Sequence, residues 1–83
     1  MTEAEMIEAI EETAGEIGGA VRASYSGRYM WGAVCYGIVC DSATDCIEEA
    51  ASRGLRGAQC DSMGKSFIVY WPSVKGKPWK PEP

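Results

Sequence analysis

Histidine is absent from the 83-residue chain, phenylalanine occurs once, and Lys and Arg number eight against twelve Asp and Glu, for a net charge of −4. The lack of imidazole leaves any cysteine or serine nucleophile without its usual base, and it removes the commonest nitrogen ligand for a metal. A lysine or carboxylate base remains open in principle, but no spacing recommends one. No apolar run approaches the roughly 20 residues that a membrane-spanning helix needs. The acidic, helix-patterned start has neither the basic opening nor the apolar middle of an export leader, so we expect a cytoplasmic protein with no membrane association.

The four cysteines are Cys35, Cys40, Cys46 and Cys60. None forms the two-residue-spaced pair of zinc knuckles or thioredoxin-like sites. In a reducing compartment they read as small buried thiols. A metal or thiol module remains as an alternative if the strand ends bring the four together. We expect no cofactor.

What is present is a small, apolar-rich chain of uneven charge. A hydrophobic fraction of 46% suits a folded globule, and the length suits one domain. Residues 1–49 hold ten acids and two bases, net −8, whereas 50–83 hold two acids and six bases, net +4. The acidic half repels nucleic acid and favours a basic protein surface. The plainer alternative is the solvated face of two ordinary helices.

Thr2 followed by Glu5 is a capping-box pattern. Met6, Ile7, Ile10, Ala14 and Ile17 then fall in a wedge of about 100°, opposite a row of glutamates, and Gly18-Gly19 ends the helix. Residues 33–40 read as a strand with Val34, Tyr36 and Ile38 on one face and Cys35, Gly37 and Val39 on the other. Gly37 marks a bulge or a close approach. Asp41 or Ser42 caps a second helix whose inner stripe is Ala43, Cys46, Ile47, Ala50 and Ala51, with Gly54 as its stop. Leu55–Cys60 is a weaker strand, Asp61–Gly64 a turn in which Asp61 bonds its own backbone, and Phe67–Trp71 the strongest strand, closed by Pro72.

The expected fold is α+β, an α-β-α-β-β two-layer sandwich. Its three-stranded antiparallel sheet has strand order 2-3-1, with Phe67–Trp71 central and both helices on one face. The domain is expected over 1–72, and 73–83, rich in proline and lysine, as a flexible tail. The far face of the sheet, with Tyr70 and Cys35 or Val39, is left partly bare, which makes it a candidate homodimer surface.

The densest cluster of recognition-type side chains is Ser24–Gly32, with Tyr25, Arg28, Tyr29 and Trp31 between glycines. Tyr, Trp and Arg are enriched at the energetic centres of protein interfaces. In a domain this small, the same rings could instead fold back onto the core. Gly27-Arg28 and Gly32 do not form a phosphate loop, which needs a preceding strand and a lysine and hydroxyl after its second glycine. An anion held by Arg28 and nearby backbone N–H groups is a lesser alternative. Interleaved aromatics and bases suggest single-stranded nucleic acid only weakly, because the acidic helices oppose phosphate.

The string Tyr25-Ser26-Gly27-Arg28-x-Met30-x-Gly32 with Cys35 and Gly37-Ile38, followed by Asp61-x-Met63-Gly64 and Ile68-Val69-Tyr70-Trp71-Pro72, resembles a pattern of small uncharacterised phage and prophage proteins. It covers about residues 25–72. The resemblance implies an inhibitor of host machinery, of the anti-CRISPR or another anti-defence type, and transfers no residue role. The sequence thus leads us to expect a non-enzymatic binding protein that acts by occlusion. Its anchors would be Tyr25, Arg28, Tyr29, Trp31 and Tyr70.

Overall fold

A computed structural model describes residues 1–27 and 30–78. The order of elements is α1 (Glu3–Ile17), β1 (Ala20–Tyr25), β2 (Cys35–Cys40), α2 (Ala43–Ser52), β3 (Gln59–Met63) and β4 (Ser66–Lys75). The class is α+β, with one four-stranded antiparallel sheet in the order β1-β2-β4-β3.

The helix ends follow local chemistry. Thr2 Oγ1 accepts from the Glu5 N–H at 3.1 Å, and Glu5 Oε1 accepts from the Thr2 N–H at 2.9 Å. This reciprocal box satisfies two donors left over at the helix start. Gly18 closes α1 in the left-handed conformation at φ 70°. Of the two proposed caps for α2, Ser42 is the one used, accepting from the Asp45 N–H. Arg53 ends α2 and pairs with Glu49 at 2.9 Å and, across to α1, with Glu12 at 3.7 Å.

Both helices pack on one face of the sheet. There Ile10, Ala14, Cys46 and Ala50 meet Tyr36, Ile38, Val69, Trp71 and Val74. The inner stripe of α2 is narrower than expected: Cys46 and Ala50 are buried, whereas Ile47 and Ala51 are exposed. Ten residues give α2 fewer than three turns, and its small side chains leave Ile47 at the rim.

The three-stranded expectation is corrected to four. The predicted order of the three strands survives as β3-β4-β2, and β1 is added at the β2 edge. β1 gave no clear signal because it is an edge strand of Ala, Val, Arg and Ser with no buried residue. β3 lies later than expected, at Gln59–Met63 rather than Leu55–Cys60. Leu55 is buried in the loop before it. The turn is Gly64-Lys65, between the paired Met63 and Ser66, with Gly64 at φ 65°. Positive φ at the first of two turn positions is what primed hairpin turns require. Asp61 is therefore a strand residue opposite Ile68 and not a turn residue.

Pro72 does not close β4. Trp71 pairs with Tyr36, but Cys35 pairs with Lys75, so Pro72 sits in a bulge of β4. There its missing N–H costs no ladder bond. The bulge also shifts side-chain parity, so Val74 joins Val69 and Trp71 on the helix side. The ordered fold thus extends past the expected boundary at residue 72. Gly76 N–H bonds the Val34 carbonyl and Lys77 N–H the Ala23 carbonyl, each at 2.9 Å. This holds the end of β4 over the start of β2, where β1 and β2 shift register. The remainder of the expected tail, 79–83, lies outside the described residues.

A Cβ on Gly76 would overlap the Ala23 carbonyl oxygen and stand 2.9 Å from the Cys35 carbonyl carbon. Both are backbone atoms that cannot rotate away. Gly76→Ala should therefore lower stability by about 3 kcal/mol, at the upper end of overpacking costs. Gly15 lies inside α1 with nothing within 4 Å of an added Cβ, so Gly15→Ala should raise stability by about 0.5–1 kcal/mol. Urea unfolding of the two variants checks both signs.

Candidate functional site

The helix-free face of the sheet carries the candidate site. Alternation puts Cys35, Gly37 and Val39 of β2, Ile68 and Tyr70 of β4, and Gln59 and Asp61 of β3 on this face. A Cβ on Gly37 would lie 3.1 Å from Ile68 Cγ1 and Cδ1 and from Tyr70 Cβ. The missing side chain thus lets its neighbours collapse inward, the close approach that the glycine suggested.

The face is not bare at the two positions expected to be so. Cys35 and Tyr70 are buried, with Ile68, in a second small core, and Val39 is half-buried. The covering layer comes from Tyr25, Gly27 and Met30. Gly27 lies against the Tyr70 ring, where an added Cβ would come within 3.0–3.1 Å of its carbons and hydroxyl. Met30 packs on the same cluster. The Tyr25 and Tyr70 rings meet at 4.8 Å between centroids, tilted 50°, an arrangement that aromatic quadrupoles favour.

A polar rim completes the cluster. The Tyr25 hydroxyl donates to Asp61 Oδ2, and the Tyr70 hydroxyl donates to Gln59 Oε1 at 3.2 Å. Burial, and then the hydrogen bond to the Asp61 carboxylate, push the Tyr25 phenol well above its ordinary value. Burial, and then the nearby Asp61 charge, also raise Tyr70. Such phenols stay protonated at neutral pH and act as donors. The cluster clamps Gly27 and Met30 to the sheet.

Beyond Met30 the chain turns outward. The Ala33 N–H bonds the Met30 carbonyl at 2.9 Å, enclosing Trp31 at φ 55° and Gly32 at φ 87°. Two successive positive φ values are the signature of a type I′ turn, whose first central position favours Asn, Asp or Gly. Trp31 is the only non-glycine residue in the left-handed region among those described, and its side chain is 94% exposed.

The five predicted anchors thus separate. Trp31 is at the tip, Tyr25 is half-buried beneath it, and Tyr70, 5% exposed, is part of the floor. Arg28 and Tyr29 lie outside the described residues. The part played by Asp61 and Gln59 was missed because β3 was placed too early. Their alternation with Cys60 and Ser62 was the available signal.

The four cysteines do not converge. Cys35 belongs to the far-face cluster, and Cys40 and Cys46 to the core beneath the helices. Cys60 is exposed on edge strand β3. Among the described residues no group of three or more His, Cys, Asp or Glu is placed to hold a metal ion. No helix among them is long and apolar enough to cross a membrane. Comparison with protein-family models, curated proteins and solved structures finds no match.

Burial raises all four thiols, with Cys46 pushed up to about 12. The folded protein keeps these protons, and Tyr25 its own, at a pH where the unfolded chain has released them. Stability is therefore full below about pH 9, where free thiols are protonated, and falls as pH rises toward 12. Each buried group contributes a slope of up to about 1.4 kcal/mol per pH unit, and exposed Cys60 less, because solvent screens it. Thermal melts from pH 7 to 11 should show a level region and then a decline. Cys46→Ala should flatten its first part, and Tyr25→Phe the part above about pH 10.

Proposed function

We propose that the protein is a non-enzymatic binding domain that inserts Trp31 into an apolar pocket of a protein partner. The observation that carries this reading is a nearly fully exposed tryptophan at a left-handed turn position. A bulky residue there costs of the order of 1–2 kcal/mol in backbone sterics, and an exposed indole recovers nothing by burial within the chain. Asn or Gly would make the same turn without strain. An arrangement that opposes stability on both counts directs attention to function. Arg28 and Tyr29, three and two positions before it in sequence, are the residue types that accompany tryptophan at interface centres.

Tyr25 and Tyr70 act as supports in this reading. They hold Gly27 and Met30 on the sheet so that the turn is presented on a rigid base, which lowers the ordering cost of association. With Cys35 and Tyr70 covered, a homodimer through that face has little apolar surface left to use.

The exposed acids among the described residues lie on the helices and at Asp41, just before α2, whereas Arg22 and Lys75 lie on the Trp31 side of the sheet. A sheet with a helical layer is about 10 Å deep, a distance over which physiological salt already screens charge. A basic partner surface would therefore have to reach the helix layer, and the contact at Trp31 is apolar. The sequence resemblance to phage proteins supports a host factor as the partner and occlusion as the mode of inhibition, of the anti-CRISPR or another anti-defence kind.

The test uses immobilised wild-type protein, Trp31→Ala and Trp31→Asn with host lysate, followed by affinity measurement on whatever is retained. Removing a central tryptophan should weaken binding about 30-fold, the equivalent of 2 kcal/mol. Trp31→Asn should be as stable as wild type or more so while binding as poorly as Trp31→Ala. Affinity should change less than tenfold between low and high salt. Equal retention by all three proteins would overturn the reading.

A further inference from the structure

We propose that Cys40 and Cys46 form a reversible disulfide, with Cys40 as the entry thiol and a small cationic disulfide as the preferred oxidant. This inference is independent of the role given to Trp31, which lies on the other side of the sheet.

Three observations carry it. Cys40 is the last residue of β2 and Cys46 lies in the first half of α2, joined through the short Asp41-Ser42 connection. Both side chains belong to one packed cluster beneath the helices, and each thiol lies within electrostatic range of the other. Rearrangement of the short connection between a strand end and a helix start in one cluster is the movement that would bring the two sulfurs to bonding distance. Cys40 also lines an open pocket of about 330 Å³, together with Glu16, Ile17, Asp41, Ser42 and Asp45. Cys46 is fully enclosed, so a reagent reaches the pair from the Cys40 side.

The exchange balances without an added redox partner beyond the small disulfide. The Cys40 thiolate attacks one sulfur of RSSR, a mixed disulfide forms at Cys40, and RS⁻ leaves and takes up a proton. The Cys46 thiolate then attacks Cys40 Sγ and expels the second RS⁻. Two protein thiols are oxidised, one RSSR is reduced to two RSH, and the two thiol protons end on the leaving groups. The pocket wall carries three carboxylate residues and no basic one. It therefore attracts a cationic disulfide and repels an anionic one, an effect that salt weakens.

The full-length native protein is treated at pH 8.5 with cystamine (cationic), hydroxyethyl disulfide (neutral) or oxidised glutathione (anionic). After cystamine, thiol titration in denaturant should find no more than two of the four thiols, since exposed Cys60 can carry a mixed disulfide of its own. A protease that cuts after acidic residues separates the cysteines at Asp41 and Asp45. Their fragments should remain joined until reduction. Rates should fall in the order cationic, neutral, anionic, spread at least tenfold at low salt, and converge in 1 M salt. In Cys46→Ala and Cys46→Ser, where the second step is blocked, a stable mixed disulfide should accumulate at Cys40. Four remaining thiols, linkage through Cys35 or Cys60, or the same rate order and spread at high salt would each overturn the proposal.

Discussion

The fold depends on burying both faces of β4. Ile68, Val69, Tyr70 and Trp71 are consecutive and all buried. Successive side chains of a strand point to opposite faces, so four such neighbours require a layer on each side. Val69 and Trp71 find the helices. Among the described residues Ile68 and Tyr70 have no third layer of secondary structure to meet, and Tyr25, Gly27 and Met30 take its place. Filling each of these positions is worth about 1.5–3 kcal/mol per side chain, a large share of the 5–15 kcal/mol that holds a small domain together.

The same constraint shapes the candidate site. A segment that must cover Ile68 and Tyr70 is fastened to the sheet by Met30, by Gly27 against a ring, and by the Tyr25–Asp61 hydrogen bond. Fastening on one side leaves the turn at Trp31 and Gly32 projecting on the other. Gly37 and Gly27 contribute by what they lack, since each admits a neighbouring side chain that a Cβ would crowd. Protection of the core and display of the indole are two results of one packing arrangement. Charge is sorted along much the same division, with the glutamates of α1 and α2 on the helical layer and Asp61 beneath the aromatic tip on the other.

Much of the fold was legible in the chain. The box at Thr2 and Glu5, the glycine stop at Gly18 and the cap at Ser42 are local effects, decided within a few residues. The strength of Phe67–Trp71 and the alternation of 35–40 are also visible without tertiary contacts. β1 was not legible, because an edge strand of small and polar residues takes its stability from pairing with β2 and hardly from its own pattern. The end of β4 was hidden behind Pro72, which reads as a terminator unless a bulge removes the demand for its N–H. At the site, the aromatic segment stood out by composition, whereas its division into a tip and a floor did not.

By itself, then, the sequence determined the elements whose causes are local: two capped helices, a doubly apolar strand, and a glycine-bounded group of rings without histidine chemistry beside it. Tertiary structure alone decided that Tyr70 lies inside and Trp31 outside. It also decided that Cys40 and Cys46 share a cluster from which Cys35 is absent, and that Asp61 reaches Tyr25 from 36 residues away. These outcomes follow from strand register and sheet order, which set the face each side chain occupies. A one-residue shift of register moves every side chain of a strand to the other face, and nothing within a few residues of Tyr70 or Trp31 encodes which face that is.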